Sequence, residues 1–354
     1  MLHSFNGTDG AWPQTSLIFD AAGNLYGTTH HGGVSGQGTV FELTPTGGGG
    51  WTEKVLYNFG KGTDGAAPEA GLIFDAAGNL YGTTTFGVSH DRYGTVFELS
   101  PTAGGNWTEK VLHSFGSGAD GTYPMAGLVF DTSGNLYGTC SQGGAYGGWG
   151  IVFQLTPQAG GGWGEQVLHN FSDYSDGSTP YAGLIIDVSG NLYGTTSSGG
   201  DYYEGTVFEL SHTAGGGWTH QVLHSFNYTD GGTPQAGLTF DAAGNLYGTA
   251  GGGYYGYGTV FELTPTAGGG WTEQVLHSFN GTDGAGPQAG LIFDADGNLY
   301  GTTAGGGTYN DGTVFELTPL FPCARCSHAV SSGEVDVLPA ESRDVLEQGG
   351  LTRR

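Results

Sequence analysis

The sequence predicts an all-β protein, a six-bladed β-propeller built from four-stranded antiparallel blades. First, the hexapeptide Gly-Asn-Leu-Tyr-Gly-Thr recurs along the chain, beginning at Gly23, Gly78, Gly134, Gly190, Gly244 and Gly297. Second, each copy lies in a unit of roughly 55 residues that holds four strand-like segments separated by turn residues. Third, no window before residue 320 has the period of an amphipathic helix.

The four segments of each unit, named a to d, are rich in β-branched and aromatic residues and are five to nine residues long or slightly shorter. In the second unit they cover residues 72–75 for a, 79–83 for b, 95–99 for c and 107–115 for d. The chain between a and b is a tight turn, in which the Asp75 carboxylate can accept backbone N–H groups and Gly78 can adopt a positive φ. Segments a and b are therefore expected to pair as antiparallel neighbours.

The ends of the chain predict how the propeller closes. Six copies of a, b and c are present, but only five complete d segments, which open at Trp51, Trp107, Trp163, Trp218 and Trp271. Residues 2–5, Leu-His-Ser-Phe, match the end of the d pattern, so we expect this N-terminal strand to pair with the last blade and remove an exposed sheet edge. Met1 stands where other copies have Val, and the first half of this d segment is absent. Seven blades in a longer chain are therefore the alternative.

Composition excludes several classes of partner. The chain has 354 residues, of which 73 are Gly, and carries 33 acidic and 8 basic residues for a net charge of −25. Only four basic residues precede residue 320, so no cationic surface is expected for nucleic acid or anionic lipid. No apolar run reaches the roughly 20 residues needed to span a bilayer, and no signal peptide is evident. We expect a monomer.

The repeat resembles a known family. Gly-Leu-Ile-Phe-Asp-Ala-Ala-Gly-Asn-Leu-Tyr-Gly-Thr-Thr, followed by Gly-Thr-Val-Phe-Glu-Leu-Thr-Pro and Val-Leu-His-Ser-Phe, is similar to the Gloeobacter/Verrucomicrobia (GloVer) tandem repeat over residues 1 to about 319. The Asp-x-x-Gly-Asn-Leu-Tyr core is also loosely similar to NHL-type propeller repeats. The resemblance implies a bacterial protein located at the cell surface or outside the cell, whose molecular function the family does not specify.

The candidate ligand site is the loop face formed by the b–c and d–a connections. The a–b and c–d turns are nearly identical between units, whereas the b–c loops vary, as expected of binding loops on a rigid scaffold. Their aromatic rings suit stacking on a sugar, and their polar groups suit its hydroxyls. The alternative is that the rings only pack the loops together. The candidate ligand-binding residues are His30, His31, Phe86, His90, Asp91, Tyr146, Trp149, Asp201, Tyr202, Tyr203, Tyr254, Tyr255, Tyr257, Tyr309 and Asp311.

Three further patterns bear on catalysis and metal binding. His90 and Asp91 beside His30 and His31 could supply acid–base chemistry, but no nucleophile or zinc ligand set is evident from spacing. Each d–a loop carries an Asp four residues before a Pro, which favours an Asx turn over a calcium site. The d-segment His is replaced by Tyr57 in one unit, which favours a structural role. We therefore expect no catalytic residue, no metal and no cofactor.

The predicted organisation is a propeller over residues 1–319 and a non-repeating, disordered tail over residues 320–354. The most direct interpretation is a non-enzymatic extracellular or cell-surface binding or scaffold protein, with a carbohydrate or another surface protein as partner. A carbohydrate-active enzyme, either a glycosidase or a lyase, on the same scaffold is one alternative. A purely structural surface repeat is the other.

Overall fold

The structure, a computed structural model, describes residues 1–87, 93–116, 119–172 and 175–318. These residues contain strands and turns and no helix, and their strands form the six antiparallel blades of a β-propeller, so the predicted fold class is confirmed. The described residues form two compact units, one within residues 1–199 with 208–222, and one within residues 200–207 with 223–318. The predicted tail and the candidates His90 and Asp91 lie outside the described residues.

The first three blades are four-stranded sheets whose strands lie in sequence order. Blade 1 comprises β1 (Ile18–Phe19), β2 (Leu25–Thr29), β3 (Thr39–Pro45) and β4 (Trp51–Asn58). Blade 2 comprises β5 (Ile73–Phe74), β6 (Leu80–Thr84), β7 (Thr95–Thr102) and β8 (Asn106–Ser114). Beside blade 3 lies a ribbon of β9 (Gly121–Thr122) and β12 (Gln142–Gly143). Blade 3 itself comprises β10 (Val129–Phe130), β11 (Leu136–Cys140), β13 (Ile151–Pro157) and β14 (Trp163–Asn170).

The remaining blades repeat this order. Blade 4 comprises β15 (Ile185–Ile186), β16 (Leu192–Thr196), β17 (Thr206–His212) and β18 (Trp218–Ser225). Blade 5 comprises β19 (Thr239–Phe240), β20 (Leu246–Ala250), β21 (Thr259–Pro265) and β22 (Trp271–Ser278). Blade 6 comprises β23 (Ile292–Phe293), β24 (Leu299–Thr303) and β25 (Thr313–Leu317). The a strands are two residues long, shorter than the sequence predicts.

The b strand is the buried centre of each blade. All five residues of β6 are buried, and a side chain at Gly82 would meet the Phe97 ring 2.7 Å away and Leu72 3.0 Å away. The second Gly of the hexapeptide, Gly82 in this blade, therefore makes room for the aromatic ring of the neighbouring c strand. This contact explains why a residue that weakens strands recurs in the middle of one.

The turn between strands a and b forms as predicted. In blade 2, Asp75 Oδ1 accepts the backbone N–H groups of Ala77 and Asn79 at 2.8 and 2.9 Å, and Gly78 has a φ of 84°. Its Oδ2 accepts hydrogen bonds from the Asn79 amide and the Tyr81 hydroxyl. Burial raises the pKa of Asp75, but these hydrogen bonds outweigh it and hold that pKa below its usual value.

Strands c and d pair through a β-bulge that the sequence does not predict. The register shifts between Val40 and Phe41 in blade 1, so that Leu56 is an extra residue between Val55 and Tyr57 of the d strand. Blades 2, 3 and 5 shift at the same place. The bulged Leu56 and its counterpart Leu112 are buried, and the following Tyr57 donates a hydrogen bond to Asp64 of the d–a loop.

Neighbouring blades share cores through an aromatic contact. The Phe that follows each d strand lies about 5 Å from the c-strand Phe of the next blade, edge to face, as in the pair of Phe59 and Phe97. The same contact joins Phe115 with Phe153 and Phe279 with Phe315. Such pairs add specific geometry to the burial of apolar area.

The predicted closing strand is not among the described strands. Residues 1–6 form no ladder, and the sheet of blade 6 has three strands. The physical reason lies in the missing first half of this d segment, because Trp51–Lys54 supply four of the seven pairs that hold β4 on β3. Phe5 still packs against Phe41 of blade 1, edge to face at 5.0 Å. In blade 6, Val314 is 56% exposed, whereas its counterpart Val260 is fully buried.

Candidate functional site

The b–c and d–a loops meet within each blade, as the sequence predicts. Isolated antiparallel bridges join Ala11 to His31 in blade 1 and Ala66 to Phe86 in blade 2, with equivalent bridges in blades 4, 5 and 6. The residue before the d–a loop Pro has a positive φ in every blade, although residues before Pro usually favour extended backbone. These residues are Trp12, Ala67, Tyr123, Thr179, Thr233 and Gly286.

In blade 1 the loops bring together a cluster of rings. The His30 and His31 rings lie 4.1 Å apart, and Trp12 stacks on His30 at 6.2 Å and contacts His31 edge to face at 4.7 Å. His30 Nε2 lies 2.6 Å from the carboxylate of Glu69. Trp12 is 61% exposed, so the cluster presents one open aromatic face beside a partly buried imidazole–carboxylate pair. Sequence reasoning found the two His residues but missed Trp12 and Glu69.

Blades 2 and 3 provide fewer exposed rings. Phe86 contacts Tyr123 edge to face at 5.7 Å. Tyr146 is exposed and lines a cleft of about 710 Å³ together with Leu168, His169, Asn170, Ser172 and Asp176. Trp149, in contrast, packs against the buried cluster that contains Tyr137, Val152 and Phe171. Trp149 is therefore partly buried against the core of this unit, and its ring is less open to a ligand than that of Tyr146.

The compact unit formed by residues 200–207 and 223–318 carries the densest group of exposed aromatics. Tyr202 and Tyr203 are exposed beside Asp201, and the Tyr254 and Tyr255 rings contact each other edge to face at 4.9 Å. The exposed residues of this group that the sequence predicted are Asp201, Tyr202, Tyr203, Tyr254, Tyr255, Tyr257, Tyr309 and Asp311.

Tyr228 is a further exposed aromatic that sequence reasoning missed. It lies in the d–a loop before blade 5 and has a φ of 73°, where the equivalent loops have Gly7 and Gly281 at φ values of 90° and 87°. A side chain in this left-handed region costs of order 1–3 kcal/mol. Comparing the d–a loops with one another would have shown this Tyr in a Gly position.

The d–a loop Asp residues are occupied by protein partners. Asp9 accepts the backbone N–H and the side-chain amide of Asn6, and its Oδ2 lies 3.1 Å from His3 Nε2. Asp64 accepts hydrogen bonds from the Gly60 and Lys61 backbone N–H groups and from the Tyr57 hydroxyl. The Asx-turn interpretation fits both loops. The d-segment residue, His3 in the first loop and Tyr57 in the second, also contacts the Asp of its loop. This contact is of the structural kind that the sequence predicts for it.

The opposite edge of the blades also has a cleft. Its volume is about 620 Å³, and residues of the a–b turns of blades 5 and 6 form it, among them Asp241, Tyr247 and Asp294. The Tyr247 hydroxyl donates to Glu262 and Asp241 at 2.7 and 3.1 Å. These polar groups satisfy one another in the pattern that other blades repeat, which indicates a structural role.

Comparison with known proteins identifies the repeat and the fold. A family model described as the Gloeobacter/Verrucomicrobia repeat matches residues 1–148 and 129–339. No curated protein matches the chain. Among solved structures, an ancestral GH74 enzyme has a TM-score of 0.58 at 13% identity, over 83% of this chain and 41% of its own. A puromycin-hydrolysing peptidase from Mycobacterium tuberculosis has a TM-score of 0.50 at 13% identity, over 89% and 47%. The chain therefore spans less than half of either protein, and at this identity the likeness concerns the fold.

Proposed function

Because the chain belongs to the Gloeobacter/Verrucomicrobia repeat family, we propose that it is a non-enzymatic binding propeller whose b–c and d–a loops hold a neutral, polyhydroxylated ligand, a carbohydrate. The proposal places it at the cell surface or outside the cell, as the family resemblance implies. The described residues include no helix with the length and hydropathy required to span a bilayer.

The observation that carries the proposal is the position of the exposed aromatic side chains. Among the described residues, eleven aromatics are exposed, and ten of them lie in b–c or d–a loops. The exception is Phe19 in β1. Elsewhere in the described blades the aromatic rings are buried or partly buried, so apart from Phe19 the exposed rings lie in the b–c and d–a connections. Aromatic faces stack on the C–H surfaces of sugars, and neighbouring polar groups bind hydroxyls.

Backbone strain supports the same proposal. Three of the exposed aromatics, Trp12, Tyr203 and Tyr228, have φ values of 60° to 73°. A side chain in this conformation destabilises the folded state, and strained residues cluster at ligand sites.

A glycan array tests the proposal directly. We expect the wild-type protein to bind one class of glycan, and the double variant Tyr202→Ala/Tyr255→Ala to bind at least about fivefold more weakly, since each stacked ring contributes about 0.5–1.5 kcal/mol. Phe19→Ala is the matched control, because it removes an equally exposed ring away from the loops. Trp149 is left intact because its removal would damage the core. Wild-type protein that binds no glycan would disprove the carbohydrate proposal.

The pair of His30 and Glu69 favours a second candidate, a carbohydrate-active enzyme. Their 2.6 Å contact lies beside the exposed Trp12, and an imidazole–carboxylate pair can move protons near neutral pH. A glycosidase would also need a second carboxyl facing the scissile bond. Release of reducing ends from a polysaccharide panel, abolished by Glu69→Gln with folding retained, would establish this alternative over simple binding.

A further inference from the structure

A three-residue cluster recurs where adjacent blades meet. The His at the end of one d strand lies beside the Asp of the following d–a loop, and both lie beside the third residue of the next d strand. In two clusters that third residue is Glu: His3 with Asp9 and Glu53, and His224 with Asp230 and Glu273. In the cluster between blades 3 and 4 it is His220. This cluster alone among the three has two imidazoles and one carboxylate.

The candidate ligand atoms of this cluster lie close to one another. One candidate ligand atom from each of His169, Asp176 and His220 lies within 4.8 Å of the others. His169 Nε2 is 3.0 Å from Asp176 Oδ2, and the two imidazole rings stack at 4.1 Å with an angle of 8° between their planes. The Ser172 backbone N–H donates to the other Asp176 oxygen at 3.0 Å and fixes the carboxylate.

His220 supplies an independent observation. Its Nε2 atom is buried and has no hydrogen-bond partner, which is a costly arrangement for a polar atom. An imidazole nitrogen that has no partner within the protein is available to bind an ion that enters the cluster.

The cluster is also open to solvent-borne ions. His169 and Asp176 line the cleft of about 710 Å³ whose rim carries Tyr146. An ion can reach the cluster from this cleft, and the open side leaves room for a water ligand. Sites with three protein ligands and one open position are common for zinc.

We propose that His169, Asp176 and His220 form a binding site for a divalent transition-metal ion of the zinc class. Two imidazoles and one carboxylate suit Zn²⁺ and disfavour Ca²⁺, which prefers six to eight oxygen ligands. At Zn–N distances of about 2.0–2.1 Å, tetrahedral ligand atoms lie roughly 3.3 Å apart, so binding draws the three side chains together. The ion joins β14 of blade 3 to β18 of blade 4.

The test uses the full chain without a histidine tag, treated with chelator and then titrated. Cys323→Ser and Cys326→Ser are included throughout, so that these two cysteines do not contribute metal ligands. Binding is followed by the visible absorption of Co²⁺ and by calorimetry with Zn²⁺. We expect one equivalent of tightly bound ion and a thermal midpoint several degrees higher with Zn²⁺.

The variants use residues that the chain itself carries at the same register. His220→Glu installs the Glu of the other clusters, and His169→Tyr installs the residue found at Tyr57. Each is expected to weaken binding at least tenfold while the protein stays folded by circular dichroism. His224→Tyr, the same change in the next blade, should bind as the wild type does. Absence of wild-type binding, or equal loss in His224→Tyr and His169→Tyr, would overturn the proposal.

Discussion

At the scale of single residues, replacement of Tyr228 should affect the stability of the fold and the affinity for a glycan in different ways. Its φ of 73° is one that Gly7 and Gly281 adopt in equivalent loops without strain. We expect Tyr228→Gly to leave the free energy of unfolding unchanged or to raise it by up to about 1 kcal/mol, because relief of backbone strain offsets the extra entropy of Gly. The same variant should lose about tenfold in glycan affinity. Denaturant unfolding and the glycan array measure the two effects, and a marked loss of stability would show that the ring serves packing.

Gly82 gives the opposite case, a residue whose role is purely structural. A methyl group there would lie 2.7 Å from the Phe97 ring, so Gly82→Ala should destabilise the protein by about 1–3 kcal/mol. Gly48→Ala is the matched control, since its Cβ meets no atom within 4 Å and its backbone φ is not positive. Chemical denaturation should place this control within about 0.5 kcal/mol of the wild type. Equal effects at both positions would contradict the close packing of strands b and c.

Single residues also show where prediction from sequence succeeds and fails. The a–b turn around Asp75 was predictable because the backbone N–H groups that its carboxylate accepts lie within four positions of it. The backbone of Trp12 was not, because Pro at the next position favours extended conformations, and the bridges between the d–a and b–c loops override that preference. Trp149 appears in the sequence as one more loop aromatic, and only the tertiary structure shows that its ring packs against the core.

At the scale of the strands, the third residue of strand d couples stability to pH. Burial, followed by the charge of Asp64, raises the pKa of Glu109 to about 7, and burial with Asp230 does the same for Glu273. Because the folded-state pKa lies above the unfolded value, folding binds protons. This contribution is fully present below about pH 4.5 and is lost as the pH rises through 7.

Glu109→Gln is therefore expected to be more stable than the wild type at pH 8 by about 1 kcal/mol, a value that allows for solvent screening of a half-buried group. The two proteins should converge well below pH 4.5, where the wild-type carboxyl is protonated in both states. Denaturant unfolding across this pH range measures the difference. The double variant with Glu273→Gln should show about twice the effect, and a difference that stays constant with pH would contradict the buried environment of the carboxyl.

The same strands show why the cluster of His169, Asp176 and His220 escaped sequence analysis. His169 and Asp176 belong to one d strand and its loop, but His220 arrives from the next d strand, about one repeat further along the chain. The bulge next to the d-strand His decides which way its ring turns, and nothing in the residue pattern marks a bulge. The presence of His220 where the other copies have Glu was visible in the sequence, whereas its proximity to His169 and Asp176 was not.

At the scale of the whole molecule, the stability lost when a c-strand valine is shortened to Ala indicates whether another strand or blade packs on that valine in solution. Val260 is fully buried among residues of blades 5 and 6, while Val314 of blade 6 is 56% exposed. We expect Val260→Ala to cost about 2 kcal/mol and Val314→Ala less than about 0.5 kcal/mol. Equal costs in denaturant unfolding would show that a further strand or blade covers Val314 in solution, as the predicted closure requires.

The aromatic contact between consecutive blades has a consequence for how such a chain can change in evolution. In the pair of Phe59 and Phe97, one ring follows a d strand and the other lies on the next c strand, so each interface uses only residues of two adjacent repeats. A duplication or deletion of one whole repeat, begun at any point within it, recreates the same contact at the new junction. The number of blades can therefore change by recombination without a new interface having to arise, while the loops diverge independently from one copy to the next.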